Sequence, residues 1–144
     1  MAERTMVERS IAVPAWLRLA RVFQRVDRAS VDVLRRWDLS VAQFDVLVQV
    51  GLREGLTQQQ LADQLLVTKG NVCQLLDRME ERGLLERRQE GRANRLYLTE
   101  KGRALRAEAT PAQEQLIEDV FAALPRAQQA ALLASLRRLD HGLA

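Results

Sequence analysis

Residues 57–83 read TQQQLADQLLVTKGNVCQLLDRMEERG. Two short helices separated by a break are encoded there. Thr57 with Gln60 has the form of a capping box, in which the hydroxyl serves one helix N–H and the amide returns to the backbone N–H of the cap. Leu61, Leu65 and Leu66 then supply the apolar side of a short helix. Thr68 is placed to cap the next one, which runs to Gly83, a residue suited to the left-handed stop of a helix. In this second helix Val72, Leu75, Leu76 and Met79 follow the i, i+3, i+4, i+7 spacing of a buried face. The opposite face carries Gly70, Gln74, Asp77, Arg78 and Glu81, flanked by Lys69, Asn71 and Cys73. Its first turns are small, polar and rich in donors, and acids come only toward the far end.

Working outward, Ser40 and Gln43 form another capping box, opening a helix with Phe44, Leu47, Val48 and Leu52 that stops at Gly55. Before it, Pro14 suits a first turn, and Val13, Trp16, Leu17, Ala20, Phe23, Val31 and Leu34 recur at helical spacing up to about Trp37-Asp38. Residues 1–12 carry no pattern and are expected to be flexible. After Gly83 the period changes. Segments 84–88 and 95–99 suit strands, and the turn formers of 89–94 lie between them, which predicts a hairpin with a basic tip. Thr99 then caps a fifth helix with Leu105, Leu116, Ile117, Val120 and Phe121, where Pro111 predicts a kink or break. Pro125 opens a sixth, with Leu132, Leu133, Leu136 and Leu139. The predicted fold class is mainly α with a small β-hairpin wing. A winged helix-turn-helix lobe would span residues 39–102, and a helical dimerisation lobe would be built from 13–38 and 103–144.

Hydrophobic content of 47% in 144 residues is enough to bury a core, so a disordered chain is excluded. Aromatic content of 4% argues against a β-sandwich. The net charge of +3 is small, but residues 82–106 hold eight basic and three acidic side chains, the footprint expected for a polyanionic partner. The one cysteine, Cys73, forbids an intrachain disulfide and fits a reducing compartment. With no apolar leader or span either, a soluble cytoplasmic protein is expected. His141 is the only histidine and is remote from Cys73 in sequence. There is no Gly-rich phosphate loop, nucleophile elbow or metal-ligand spacing. Neither enzymatic activity nor a cofactor is expected.

A helix with a polar, donor-rich head is what major-groove reading requires, because the N-terminal residues of a recognition helix meet the base edges. Asn71 and Gln74 each offer the paired donor and acceptor that adenine accepts, Lys69 reaches guanine or phosphate, and Gly70 permits close approach of the backbone. Ser40, Thr57 and Gln59 sit at helix N-termini, where they either cap the helix or meet phosphate.

The run from Leu61 to Val72, continued by Leu76-Asp77-Arg78-Met79-Glu80-Glu81-Arg82-Gly83-Leu84-Leu85-Glu86-Arg87, resembles the helix-turn-helix of the MarR family. The family's wing pattern, Asp-x-Arg-Ser/Ala-Lys before a strand ending Leu-Thr-x-x-Gly, is similar to Glu90-Gly91-Arg92-Ala93-Asn94 and Leu98-Thr99-Glu100-Lys101-Gly102 here. Motif-level similarity covers about residues 56–102, and similarity in segment order covers nearly the whole chain. The chain departs from the pattern where Glu90 replaces Asp and Asn94 replaces Lys; the second change removes a cation that would contact phosphate. The resemblance implies a transcriptional regulator, by family default a repressor, that binds a pseudo-palindromic site in double-stranded DNA as a homodimer. It places Thr68, Lys69, Asn71 and Gln74 in the major groove and Arg92 in the minor groove, with Glu90 as the brace of the wing. Thr57, Gln59, Gly70, Arg78 and Arg95 complete the expected contact set.

Val13, Leu17, Leu116, Val120, Leu132, Leu133 and Leu136 are candidates for a dimer interface, since similar proteins pair through their terminal helices. Relatives of this kind often release DNA on binding a small aromatic, anionic effector between the lobes. Trp16, Phe23 and Trp37 are the candidate lining, with ordinary core packing as the other use of such residues. Two alternatives stay open. One is a winged-helix adaptor that docks on protein; the other is an oxidant-responsive regulator using Cys73.

Overall fold

The computed structural model describes residues 10–66 and 71–144. Helix α1 (Ala12–Leu34) continues into a 3-10 turn, Arg35–Trp37. Then come α2 (Val41–Leu52), α3 (Gln58–Gln64), α4 (Val72–Glu81), strands β1 (Leu85–Glu90) and β2 (Ala93–Leu98), α5 (Glu100–Phe121) and α6 (Arg126–Leu143). The expected fold class, mainly α with one antiparallel hairpin, is the observed one.

Sequence-local chemistry sets most of the boundaries. Asp38, in the left-handed region at φ 52°, ends the 3-10 turn. Both capping boxes are formed: the Ser40 hydroxyl accepts from Gln43 N–H at 3.1 Å, and the Thr57 hydroxyl from Gln60 N–H at 3.1 Å. The returning amides accept from the cap N–H groups of Ser40 and Thr57 at 3.1 and 2.9 Å. Replacing Thr57 by Ala strands one of these donors and should cost about 1 kcal/mol of stability. Urea unfolding of the variant measures this, and an unchanged midpoint would contradict it.

The core is one cluster. Leu34 from α1, Val46, Leu47 and Val50 from α2, Leu61 from α3, and Leu76 and Met79 from α4 meet Leu85, Leu96 and Leu98 of the hairpin and Ala109 of α5. Every large side chain of that cluster lies between residues 34 and 98, whereas α6 contributes no buried residue.

The close approach of α5 to the hairpin depends on Gly102. Thr99 N–H donates to the Leu84 carbonyl at 3.1 Å, and the Thr99 hydroxyl donates to the Gly83 carbonyl while accepting from Gly102 N–H at 3.0 Å. A Cβ on Gly102 would lie 2.0 Å from the Leu84 carbonyl oxygen. The Leu98-Thr99-Glu100-Lys101-Gly102 stretch therefore folds as a joint, in which threonine ties the helix to the strand and glycine leaves the necessary space.

Three expectations require correction. Helix α3 ends at Gln64 rather than including Leu66, because Leu65 turns extended (ψ 133°) and the Asp45 carboxylate of α2 accepts from Leu66 N–H at 2.7 Å. Leu66 is 74% exposed and belongs to no core. The helix after it is capped by Asn71, not Thr68, and begins at Val72. Finally, Pro111 breaks nothing, since α5 runs unbroken from Glu100 to Phe121. Pro111 and Ala107 are both exposed, so water can serve the carbonyl that Pro111 leaves without a donor. Among the described residues no helix is long and apolar enough to cross a membrane.

Candidate nucleic-acid interface

Helix α4 turns Leu76 and Met79 into the core, with Val72 and Leu75 half-buried beside them. Cys73, Gln74, Asp77, Arg78 and Glu81 are left exposed. Its cap is a side-chain bond: Asn71 Oδ1 accepts from Gln74 N–H at 3.0 Å. The Asn71 oxygen expected to face adenine is therefore already engaged in the helix start, and Gln74 and Arg78, one turn apart, carry the outward face. Thr68, Lys69 and Gly70 lie outside the described residues.

The wing is longer and tighter than its turn-forming sequence predicts. Pairing continues to Glu90 opposite Ala93, so Gln89, Glu90, Ala93 and Asn94 are strand residues and only Gly91 and Arg92 make the turn. Gly91 supplies the left-handed residue (φ 64°) that a two-residue hairpin loop requires. Arg92 is exposed at the tip and, among the described residues, makes no ion pair.

One face of the hairpin is a ladder of charges. Glu86 pairs with Arg88 at 3.0 Å, Arg88 stacks 4.1 Å over the Tyr97 ring, and the Tyr97 hydroxyl donates to Glu90 at 3.1 Å. Desolvation and the neighbouring Glu90 both raise the Tyr97 pKa, which keeps its phenol a donor. Glu90 also holds Arg95 Nε at 3.1 Å, and Arg95 donates to the Gly55 carbonyl at 2.8 Å. Glu90 thus acts on Arg95 and Tyr97 rather than on Arg92, and Arg95 ties the wing to the turn before α3. On the other face, Arg87 joins Asp77 and Glu80 of α4, and the hydrogen bond to Asp77 is the largest cause of its raised pKa.

The basic stretch 82–106 is for the most part internally committed. Arg82 reaches the Asp38 carbonyl, Arg103 pairs with Glu54 at 2.8 Å, and Lys101 donates to the Arg82 carbonyl. Counting charges along the chain misses these partners, because Asp38, Glu54, Asp77 and Glu80 lie outside the stretch. Among the described residues, the side chains of Arg92 and Arg106 are those of the stretch left without an ion pair or hydrogen bond, and Arg92 is the exposed one.

Around α4 the structure opens two polar clefts. One, of about 460 Å³, lies between the start of α3, the start of α4 and the wing, and brings together Thr57, Gln58, Gln59, Arg92 and Asn94. The other, of about 480 Å³, lies beside the far end of α4 and gathers Arg35, Ser40, Gln43, Arg78 and Arg82. The expected contact residues Thr57, Gln59 and Arg92 share one cleft, while Arg78 belongs to the other. Gln58 was not among them; its Nε2 lies 2.8 Å from Cys73 Sγ on exposed surface. The signal for Gln58 was in the capping box, since fixing Thr57 as the cap and Gln60 as its reciprocal partner fixes the directions of the two glutamines between them. Asn94, read from sequence only as a lost cation, lines the same cleft.

The proposed effector residues are not gathered. Phe23 lines an apolar cavity, Trp16 is 65% exposed near the start of α1, and Trp37 packs on the core. Among the described residues no three His, Cys, Asp or Glu side chains cluster as a metal site would require.

Residues 37–95 match a model of the MarR family. An HTH-type transcriptional regulator of Bacillus cereus is 38% identical over 108 residues, spanning 75% of this chain and 74% of the relative. Among solved structures, the transcriptional repressor CouR bound to a 23-mer DNA duplex is 32% identical, with a TM-score of 0.75 over 85% of this chain and 89% of that one. A MarR-family regulator from Rhodococcus sp. RHA1 is 26% identical, with a TM-score of 0.80 over 91% and 95% of the two chains. With a helix-turn-helix of matching order and a hairpin wing around one core, this chain belongs to the MarR family of transcriptional regulators.

Proposed function

We propose that the protein is a cytoplasmic repressor that binds a pseudo-palindromic operator as a homodimer and is released from it by a small molecule. The observation that carries the DNA-reading surface is the juxtaposition of Thr57, Gln59 and Arg92 around one cleft at the head of α4, with Gln74 exposed on that helix. The likeness to CouR, a repressor bound to a DNA duplex, supports it. In this reading α4 enters the major groove and Arg92 the adjacent minor groove. The residues of 39–102 form the DNA-reading lobe, and those of 13–38 and 103–144 form the dimerisation lobe.

Unburied apolar surface supports the dimer. Ile11 at the cap of α1, Val13, Trp16 and Leu17 on α1, and Leu133 and Leu139 on α6 are exposed. Of the interface residues named from sequence, Val13, Leu17, Val120 and Leu133 are exposed, and Leu116, Leu132 and Leu136 are half-buried. One wing and one helix read a short site weakly, and two-fold symmetry doubles it.

Selection from a random duplex library tests the proposal. The expected product is an inverted repeat with half-sites about one helical turn apart, and binding that weakens steeply with salt. If no sequence is enriched, the repressor reading fails and docking on protein takes its place.

A further inference from the structure

An apolar concavity lies among α1, α2 and α5, with a volume of about 430 Å³, in the range of small-molecule sites. Leu19, Phe23, Phe44, Val48, Ile117 and Phe121 give it apolar walls. Its charged groups are of one sign, and Ser30, Gln49 and Gln113 are its neutral polar groups. Asp27 and Asp45 contribute carboxylates, and Asp45 is only 7% exposed. Among the described residues that line it there is no Arg, Lys or His.

Gln113 adds a third acceptor, and its orientation follows from proton counting. The Ser30 hydroxyl donates to the Val26 carbonyl at 2.8 Å, so toward Gln113 the Ser30 oxygen can only accept. Gln113 must therefore turn its NH₂ to Ser30, at 2.8 Å, which leaves Oε1 as a fully buried oxygen without a partner. A buried acceptor left unpaired is costly, and a ligand donor would relieve the cost.

We propose that this cavity takes a small apolar ligand carrying a hydrogen-bond donor, best a protonated aromatic amine, and rejects a carboxylate. An anion would face the carboxylates of Asp27 and Asp45 with no cation in the lining to meet it, only the neutral Ser30, Gln49 and Gln113. This departs from the anionic effector that the family resemblance implies, and it rests on the reading of the chain as an effector-released regulator. The same cavity touches the DNA-reading elements. Asp45 accepts from Leu66 N–H at 2.7 Å, and Leu66, also in the lining, stands five residues before the Asn71 cap of α4. A cation drawn to Asp45 competes with that N–H and loosens the end of α3, which precedes the recognition helix.

Calorimetry on the intact protein, without DNA, compares three probes of one shape: 2-(1-naphthyl)ethylamine, 2-(1-naphthyl)ethanol and 1-naphthylacetate. The amine should bind at least tenfold more tightly than the carboxylate, with the alcohol between them. Asp27→Asn and Asp45→Asn should each reduce the preference of amine over alcohol at least threefold; Asn at position 45 still offers Leu66 an acceptor, which guards the fold. Carboxylate binding equal to or tighter than the amine overturns the proposal. So does a preference untouched by both variants, or binding of none of the three up to millimolar concentration. Release of the selected operator by the amine is measured separately. Amine selectivity without release contradicts the effector-released regulator and leaves the site standing, whereas operator binding with no amine preference does the reverse.

Discussion

Replacing Gly102 by alanine is expected to destabilise the protein by about 3 kcal/mol, lowering its melting temperature by roughly 10 °C. Helix propensity alone predicts the opposite sign, since alanine is favoured over glycine inside a helix by about 1 kcal/mol. Geometry decides between them. The added methyl would lie 2.0 Å from the Leu84 carbonyl oxygen, a backbone atom held in place by the Thr99 N–H and by the start of β1. No rotamer change relieves a contact with backbone, so α5 must move off the hairpin, and Leu84, Leu98 and Ala109 would lose packing with it. Gly142→Ala is the control. It is also helical, but nothing lies within 4 Å of its added Cβ, and a change within about 0.5 kcal/mol is expected. Thermal melts of the two variants against wild type give the answer. A Gly102→Ala melt within two or three degrees of wild type would mean that the joint between wing and α5 is far softer than its geometry implies.

The same joint shows why part of the fold was legible in sequence. Capping boxes at Ser40 and Thr57, the Thr99 cap and the apolar spacing of α4 each act over three or four residues, so they can be read in order along the chain. Elements set by distant partners were not legible. Nothing near Leu66 announces that Asp45, 21 residues earlier, will take its N–H and end α3. The turn formers of 89–94 predicted a loop, but strand pairing needs only Gly91 to be special, and the ladder through Arg88, Tyr97 and Glu90 holds the rest extended. Of the candidate site, Thr57, Gln59 and Arg92 were legible as a group because motif and cap fix their directions. The roles of Glu90 and Arg95 were not, since Arg95 is oriented by the Gly55 carbonyl 40 residues away.

Arg92→Ala should leave the fold intact and lower operator affinity about a hundredfold. The side chain is exposed in a turn and makes no ion pair among the described residues, so its removal should change stability by less than about 0.5 kcal/mol. On DNA, a good groove contact is worth about 1–3 kcal/mol, and the proposed dimer would lose two at once. Arg95→Ala should behave differently, because it removes the tie from the wing to Gly55 and the partner of Glu90, lowering melting temperature and affinity together. The two arginines, three positions apart, thus separate contact from support. A second substitution, made in the DNA, identifies the groove. If the selected operator carries A·T pairs beneath the wing, exchanging them for G·C widens the minor groove and weakens its potential, so wild type should lose affinity. The Arg92→Ala protein, with nothing to insert, should lose little further. Titrations of both proteins against both duplexes at fixed salt measure the coupling. If the two losses simply add, Arg92 does not read that groove, and its contribution is a general attraction to phosphate.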